Sequence, residues 1–334
     1  MEYTKPWLSI DEQVGRLVER GLAVADRRDA AELLQEVGYY RLTGYLHPFR
    51  ESTAFHDEHG RSRVHVLDRY EAGTRLAQAE GLIDFDRKLR LLVLEGVERI
   101  EVARRTQLGH SIGEFSAFAH EDRAVFVSSF TEPRFDGGGE RLPSRHEAWL
   151  QRAEDRRNSS DEAFVRHFRA TFDGRMPIWA LTEILELGQV SRLYGGLRND
   201  IATEIAVRWG VPTKRLLQSW IASVNYVRNI AAHHARLFNR KLVVAPKRPS
   251  PADVPLLAHL TQKDAPKEFG TYSTLAVMAC LLEEVHPERD WALRAAELLR
   301  AFPATGRVTV ESVGVREAWL DEDLWRKEDP SVSR

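Results

Sequence analysis

The stretch DFDRKLRLLVLEGVERIEVARRTQLGHSI, residues 84 to 112, decides the fold class. Within it Phe85, Leu89, Val93, Val97, Ile100 and Ala103 recur at three- and four-residue intervals, which gathers them on one side of an α-helix. Outward from this segment the chain reads almost entirely as helix. Ser9 with Glu12 three residues later is a capping box, opening a helix that runs through Arg20 and that Gly21 closes. Asp26 reads as a second N-cap, for a helix over Asp29–Val37. Further helices are expected over residues 64–79, 146–171, 178–197 and 200–209, and from Thr213, just after Pro212, to about Leu242. Two more fall at 271–286 and 289–302, with a short strand at 307–312.

Two segments break the pattern. TEPRFDGGGERLPSR, residues 131–145, is a loop; its glycines lack the Lys-Ser/Thr and strand context of a phosphate-binding loop. KRPSPADVP, residues 247–255, marks a boundary. The expected organisation is an N-terminal helical region (1–79), a helical bundle (80–246) and a C-terminal, mostly helical extension (247–334). GYYRLTGYLHPFR, residues 38–50, is too short and irregular to assign. Its Tyr39, Tyr40 and Tyr45 fit either base stacking or packing against the bundle, the latter being favoured.

The 334 residues are 43% hydrophobic and 29% charged, which suits a folded globular chain and not a disordered one. Cys280, in the apolar run LAVMACLLEEV, is the sole cysteine, so no disulfide forms within a monomer and a reducing compartment is expected. The N-terminal MEYTKPWLSIDEQ has no apolar core of a signal peptide, and no apolar run reaches membrane-spanning length. The expected location is cytoplasmic, with no membrane partner. The net charge of −2 is unremarkable, but its distribution is not. From Arg208 to Arg248 there are nine basic residues and no Asp or Glu. That segment suits a local anionic partner or a basic solvated helix face.

Inside it lies RNIAAHHARLFNR, residues 228–240. Arginine a few residues ahead of histidine is a cheap pattern; Arg41/His47, Arg50/His56, Arg104/His110 and Arg141/His146 are spaced comparably. Projection on a helix separates the cases. Leu217, Trp220, Val224, Val227, Ala231, Ala235 and Phe238 gather on a core face, while Gln218, Asn225, Asn229, His233, Arg236 and Arg240 line a neighbouring stripe. Asn229 and His233 stack at i and i+4, and Arg228 borders the stripe, so the geometry favours His233 over His234. On the 84–112 helix, Arg87, Arg90, Glu98, Glu101 and Arg105 share a flank, with Glu101 and Arg104 nearest the apolar face. A carboxylate there could hold Arg228. A run of ordinary i,i+3 and i,i+4 ion pairs explains the same residues.

Imidazole exchanges protons near neutral pH, and a guanidinium stabilises charge building on a phosphoryl group. Together they suit attack of a ribose 2′-hydroxyl on the adjacent phosphate. One histidine cannot comfortably serve as both base and acid in one step, whereas two copies of this helix face to face would supply two. A metal site is not expected: His56 and His59 lack a third spaced ligand, and neither HExxH nor paired CxxC occurs.

Arg228-Asn229-x3-His233 resembles the R-N-x-x-x-H signature of HEPN-domain ribonucleases. The chain as a whole resembles the AbiD/AbiF-type abortive-infection proteins of bacterial phage defence. The likeness rests on KPWLSIDEQVGRLVERGL (5–22), VGYYRLTGYLHPFR (37–50), FDRKLRLLVLEGVERIEVARRTQ (85–107), PIWALTEILELGQVSRLYGGL (177–197), RNIAAHHARLFNR (228–240) and VGVREAWLDEDLW (313–325), in that order. The resemblance implies an all-α HEPN-type antiparallel bundle and RNA, as substrate or as a regulatory non-coding partner. It also implies a homodimer with a composite site, and cleavage without metal or cofactor that leaves a 2′,3′-cyclic phosphate. The expected site is then Arg228, Asn229 and His233 as catalytic residues, supported by Glu101, Arg104, His234, Arg236 and Asn225. Lys214, Arg215, Arg240 and Lys241 are expected on the RNA. Two readings from other classes remain: a non-catalytic HEPN module binding RNA or a partner protein, and a helical adaptor that docks through residues 38–50.

Overall fold

Helix dominates the structure, and the only sheets among the described residues are two small antiparallel pairs. The computed structural model describes residues 2, 4, 6–263, 265, 270–285 and 290–326. By compactness the chain divides into one unit of residues 1–88 with 298–312 and another of residues 89–297 with 313–334.

The first unit begins with helices α1 (Ile10–Glu19), α2 (Arg27–Val37) and α3 (Tyr39–Leu46). Ser9 and Glu12 form the expected capping box and Asp26 caps α2 through the Arg28 N–H. Gly21, at φ +93°, ends α1: its N–H reaches the Val18 carbonyl and the Leu22 N–H reaches Leu17. These two bonds satisfy carbonyls that the helix end would otherwise leave open. The unassigned residues 38–50 thus hold α3, which buries Leu42, Tyr45 and Leu46; Tyr45 donates to Asp86 at 2.6 Å.

The helix expected at 64–79 is a strand up to Tyr70 and a turn after it, and becomes helix only at Leu76. β1 (Arg50–His56) pairs antiparallel with β2 (Ser62–Tyr70), setting Ala54 opposite Val64 and Phe55 opposite Arg63. The turn between β1 and β2 explains the difference. Asp57 Oδ1 accepts from the His59 and Arg61 N–H groups (3.0 and 2.9 Å) and Gly60 adopts φ +71°, so the chain must reverse there and pair.

One helix, α4 (Leu76–Gly113), contains the whole 84–112 segment. Beyond it come a short helix α5 (Ser128–Thr131) and a two-stranded pair, β3 (Arg134–Phe135) and β4 (Arg141–Leu142), inside the expected loop. The helix expected over 146–171 is two: α6 (Arg145–Ser159) and α7 (Ala163–Thr171), separated where Ser160 turns extended. That expected over 178–197 is also two, α8 (Ile178–Ile184) and α9 (Leu187–Gly196). Glu186 opens α9 with a reciprocal cap to Gln189, fixing the break. Helices α10 (Asn199–Arg208), α11 (Lys214–Ala232), α12 (Thr271–Glu283) and α13 (Asp290–Arg300) follow. The strand expected at 307–312 is a single 3-10 turn over Val310–Val313.

The core of the second unit holds buried tryptophans, four of which donate their indole N–H to a backbone carbonyl or a hydroxyl oxygen. Trp149 donates to the Gln189 carbonyl (2.9 Å), Trp220 to Lys247 (2.9 Å) and Trp325 to the Tyr272 hydroxyl (2.9 Å). Burying one such ring contributes roughly 4–6 kcal/mol of transfer free energy, and the satisfied N–H keeps that gain. Trp291 reaches the Leu92 carbonyl of α4 at 2.8 Å. It can do so because position 96 is glycine: a Cβ there would lie 2.6 Å from the indole nitrogen.

Candidate functional site

The motif sits at the C-terminal end of α11. Thr213 starts this helix, its hydroxyl accepting from the Leu216 N–H at 3.2 Å. Leu217, Trp220, Val224, Val227 and Ala231 are buried as projected. The helix stops at Ala232, ten residues short of the expected Leu242, because the chain turns at the histidines. His234 takes φ +56°, its N–H bonding the Ala231 carbonyl (3.0 Å) and the Ala235 N–H bonding Ile230 (2.9 Å). This closure usually needs glycine. Past it the chain runs back along α11: Leu237 and Phe238 are buried, and the Lys247 N–H meets the Ser219 hydroxyl at 2.9 Å.

The early stop changes the expected stripe. Arg236 and Arg240 lie in the returning segment, where the Arg240 guanidinium donates to the Arg236 carbonyl at 2.7 Å. Lys241 is exposed in the same segment. His233 keeps its place a turn above Asn229, since its N–H still reaches the Asn229 carbonyl at 3.1 Å. The left-handed turn sends His234 elsewhere. Both rings are exposed, as is Asn229, while Arg228 is half-buried and donates to Asn229 Oδ1 at 3.1 Å.

Arg228 also lines a groove of about 330 Å³ with Leu94, Val97, Glu98, Glu101 and Arg105 of α4. Glu101, only 8% exposed, accepts from the Arg105 guanidinium and from the Leu187 N–H (3.1 Å) at the start of α9. A carboxylate at a helix N-terminus is favoured there. It faces the same groove as Arg228 without ion-pairing to it. Asn225 is half-buried near Gly188 of α9; a Cβ on that glycine would lie 3.8 Å from both the Asn225 amide and the Arg192 guanidinium. Burial, and then the nearby Arg152, lower the pKa of Arg192. Arg105 and Arg192 are cations of this neighbourhood beyond those expected. The sequence projects Arg105 onto the same flank as Glu101 without assigning it to the site.

Arg104 is not part of it. It is 1% exposed, 4.2 Å over the Trp209 ring, and donates to Gln107 Oε1 (2.7 Å) and the Leu281 carbonyl (3.1 Å). Burial pushes its pKa down to about 10. Lys214 and Arg215 occupy the opposite end of α11, about 20 Å along the axis from Arg228 at 1.5 Å per residue. Lys214 closes the end of α9, its ammonium 2.5 Å from the Leu197 carbonyl and 3.3 Å from Asn199 Oδ1, and burial lowers its pKa. The acid-free segment therefore spreads its charge over two ends of a helix. Burial pushes the Cys280 thiol up to about 12, as befits an inert core cysteine.

The sequence profile of one family, described as Abi-like protein, matches residues 32–239. The chain belongs to the Abi-like protein family. No curated protein and no solved structure matches it. The Abi-like match supports abortive infection, a phage-defence function. It runs from Glu32, within α2, to Asn239 and so contains Arg228, Asn229 and both histidines, whereas α1 and the segment before it lie outside. No helix among the described residues is long and apolar enough to cross a membrane.

Proposed function

We propose that this Abi-like protein is a HEPN-type endoribonuclease that cleaves RNA without a metal ion, in the cytoplasm, during abortive infection. The observation that carries the reading is the meeting of Arg228, Asn229 and His233 at one open helix end, beside a groove. In the proposed reaction the ribose 2′-oxygen forms a bond to phosphorus and the bond from phosphorus to the 5′-oxygen breaks. One histidine takes the 2′-hydroxyl proton and another protonates the leaving 5′-oxygen, leaving a 2′,3′-cyclic phosphate and a 5′-hydroxyl. Arg228 stabilises the charge on the phosphoryl oxygens, held in aim by Asn229.

The second histidine comes from a second copy of the chain. Two things support this: His233 is exposed, and α4 presents exposed apolar side chains on the same unit, of which Val102 lines the groove beside Arg228. Leu91 and Val102, 55% and 50% exposed, lie with Glu98 along one line of α4.

The test is to incubate wild type and His233→Ala with mixed RNA in EDTA and map the ends. Wild type is expected to give 5′-hydroxyl ends and the variant none. Cleavage that survives in His233→Ala removes the site assignment, and cleavage by a demonstrable monomer removes the composite site.

A further inference from the structure

We propose that the N-terminal unit carries a binding site for single-stranded nucleic acid, with bases stacked on Trp7 and Tyr40 and phosphates held by Arg16, Arg20 and Arg50. The proposal does not rest on the cleavage reading, because its residues belong to the other compact unit.

These side chains line a cavity of about 750 Å³, within the size range of pockets that take small ligands and ample for a nucleotide and its neighbour. Trp7 is 85% exposed and Tyr40 79%, large apolar rings presented to water. The backbone that carries each is anchored. The Gln13 amide donates to the Leu8 carbonyl at 2.9 Å, tying the segment that bears Trp7 onto α1. Tyr40 lies on α3 on a different side from Tyr45, which is 1% exposed, and Tyr39 meets its ring edge-on at 5.8 Å.

The polar half of the cavity is cationic. Arg20 and Arg50 share a single carboxylate, Asp68, at 2.5 and 2.6 Å, and Arg20 also donates to the Tyr39 hydroxyl at 2.8 Å. Arg16 is exposed at the same rim. Beside this group, Arg50 Nε and the hydroxyl of Tyr70, 2% exposed, are buried without partners. Three guanidiniums against one carboxylate call for an anion, and open aromatic faces call for flat rings. A single strand offers both at the right spacing. A duplex does not, because its base faces are already stacked on one another.

The experiment measures binding of a labelled 2′-O-methyl oligouridine of about ten nucleotides by anisotropy. Lacking the 2′-hydroxyl, it resists cleavage, so failure here is distinguishable from failure of the nuclease reading. Wild type is expected to bind with quenching of tryptophan fluorescence, and Trp7→Ala and Tyr40→Ala each to weaken binding about 5- to 100-fold, the loss of one stacked base. Arg16→Ala is expected to lower the slope of log affinity against log salt by about 1. Phe135→Ala, at an exposed ring outside both sites, is expected to bind as wild type. Since Trp7 and Tyr40 are exposed, unchanged unfolding transitions confirm that the variants fold. No binding by wild type at low salt would overturn the proposal. So would wild-type affinity in the Trp7/Tyr40 double variant, or equally tight binding of duplex RNA or of uridine monophosphate.

Discussion

Helices α1 and α11 end with the same pair of hydrogen bonds, but different residues stand at the turn. At the end of α1 Gly21 takes the left-handed conformation without penalty; at the end of α11 His234 takes it instead. A side chain there costs about 1 kcal/mol, although histidine tolerates it better than most residues. The closure of α1 serves the fold alone. That of α11 sets His233 on the last turn, over Asn229, and frees the chain to run back along the helix. This left-handed non-glycine residue, next to His233 and a turn beyond Arg228 and Asn229, fits the site proposed there.

The widest separation between the two ends should come from the adjacent histidines. His233→Ala is expected to lower RNA cleavage by about 100- to 10,000-fold, as loss of a general acid–base group does, with unfolding in urea unchanged. His234→Ala should stay within a few-fold of wild type. Equal losses in both would erase the distinction drawn between the two rings.

Next in size is a contrast between two arginines. Arg104→Ala should cost about 3–5 kcal/mol in stability, since it removes a buried cation held by two hydrogen bonds and an aromatic face. Arg228→Ala should cost under about 1 kcal/mol and instead abolish cleavage, which Arg228→Lys does not restore. A stable Arg104 variant would contradict the structural role.

Acid should act through histidines away from the helix end. Burial pushes His120 and His259 down to about 4, so both rings are neutral in the folded protein. The unfolded chain binds these protons first, from about pH 6.5 downward. Stability is therefore complete above that pH and falls as pH drops toward 4, by about 3 kcal/mol per ring at most. Tm followed from pH 7 to 5 should fall; His120→Phe should flatten the curve, and a curve unchanged by it would assign the loss elsewhere.

The smallest effects exchange the two turn residues. Gly21→Ala places a Cβ at φ +93° and 3.3 Å from the Tyr70 carbonyl oxygen, and should cost about 1–2 kcal/mol. His234→Gly should gain up to about 1 kcal/mol with cleavage retained. Denaturant midpoints decide both; a destabilised His234→Gly would show that the ring contributes more than it costs.

What the sequence made legible was local. The Ser9 and Asp26 caps, the α4 periodicity, the apolar face of α11 and the Arg228-Asn229-x3-His233 spacing all lie within a few turns of chain. Most of the misreadings came where one residue or a distant partner intervenes. The break at Ser160 lies in a polar run, residues 156–162, where no apolar spacing marks the stop. That at Glu186 is a single polar cap inside an apolar pattern, and the stop of α11 depends on a histidine doing what glycine usually does. Glu101 could be placed on the right flank, but its bond to the Leu187 N–H depends on where α9 begins. The cavity around Trp7 and Tyr40 was invisible for the same reason. Its residues run from Thr4 to Asp68 and meet only because the β1–β2 hairpin carries Asp68 back to Arg20 and Arg50.

The contact between Gly96 and Trp291 carries a consequence for how such chains can diverge. Neither position can change by itself: a Cβ at 96 drives the indole off the Leu92 carbonyl, and a smaller ring at 291 leaves a hole against α4. Among Abi-like chains that keep this packing, the two positions should vary as a pair, alanine or serine at the first accompanying a smaller side chain at the second.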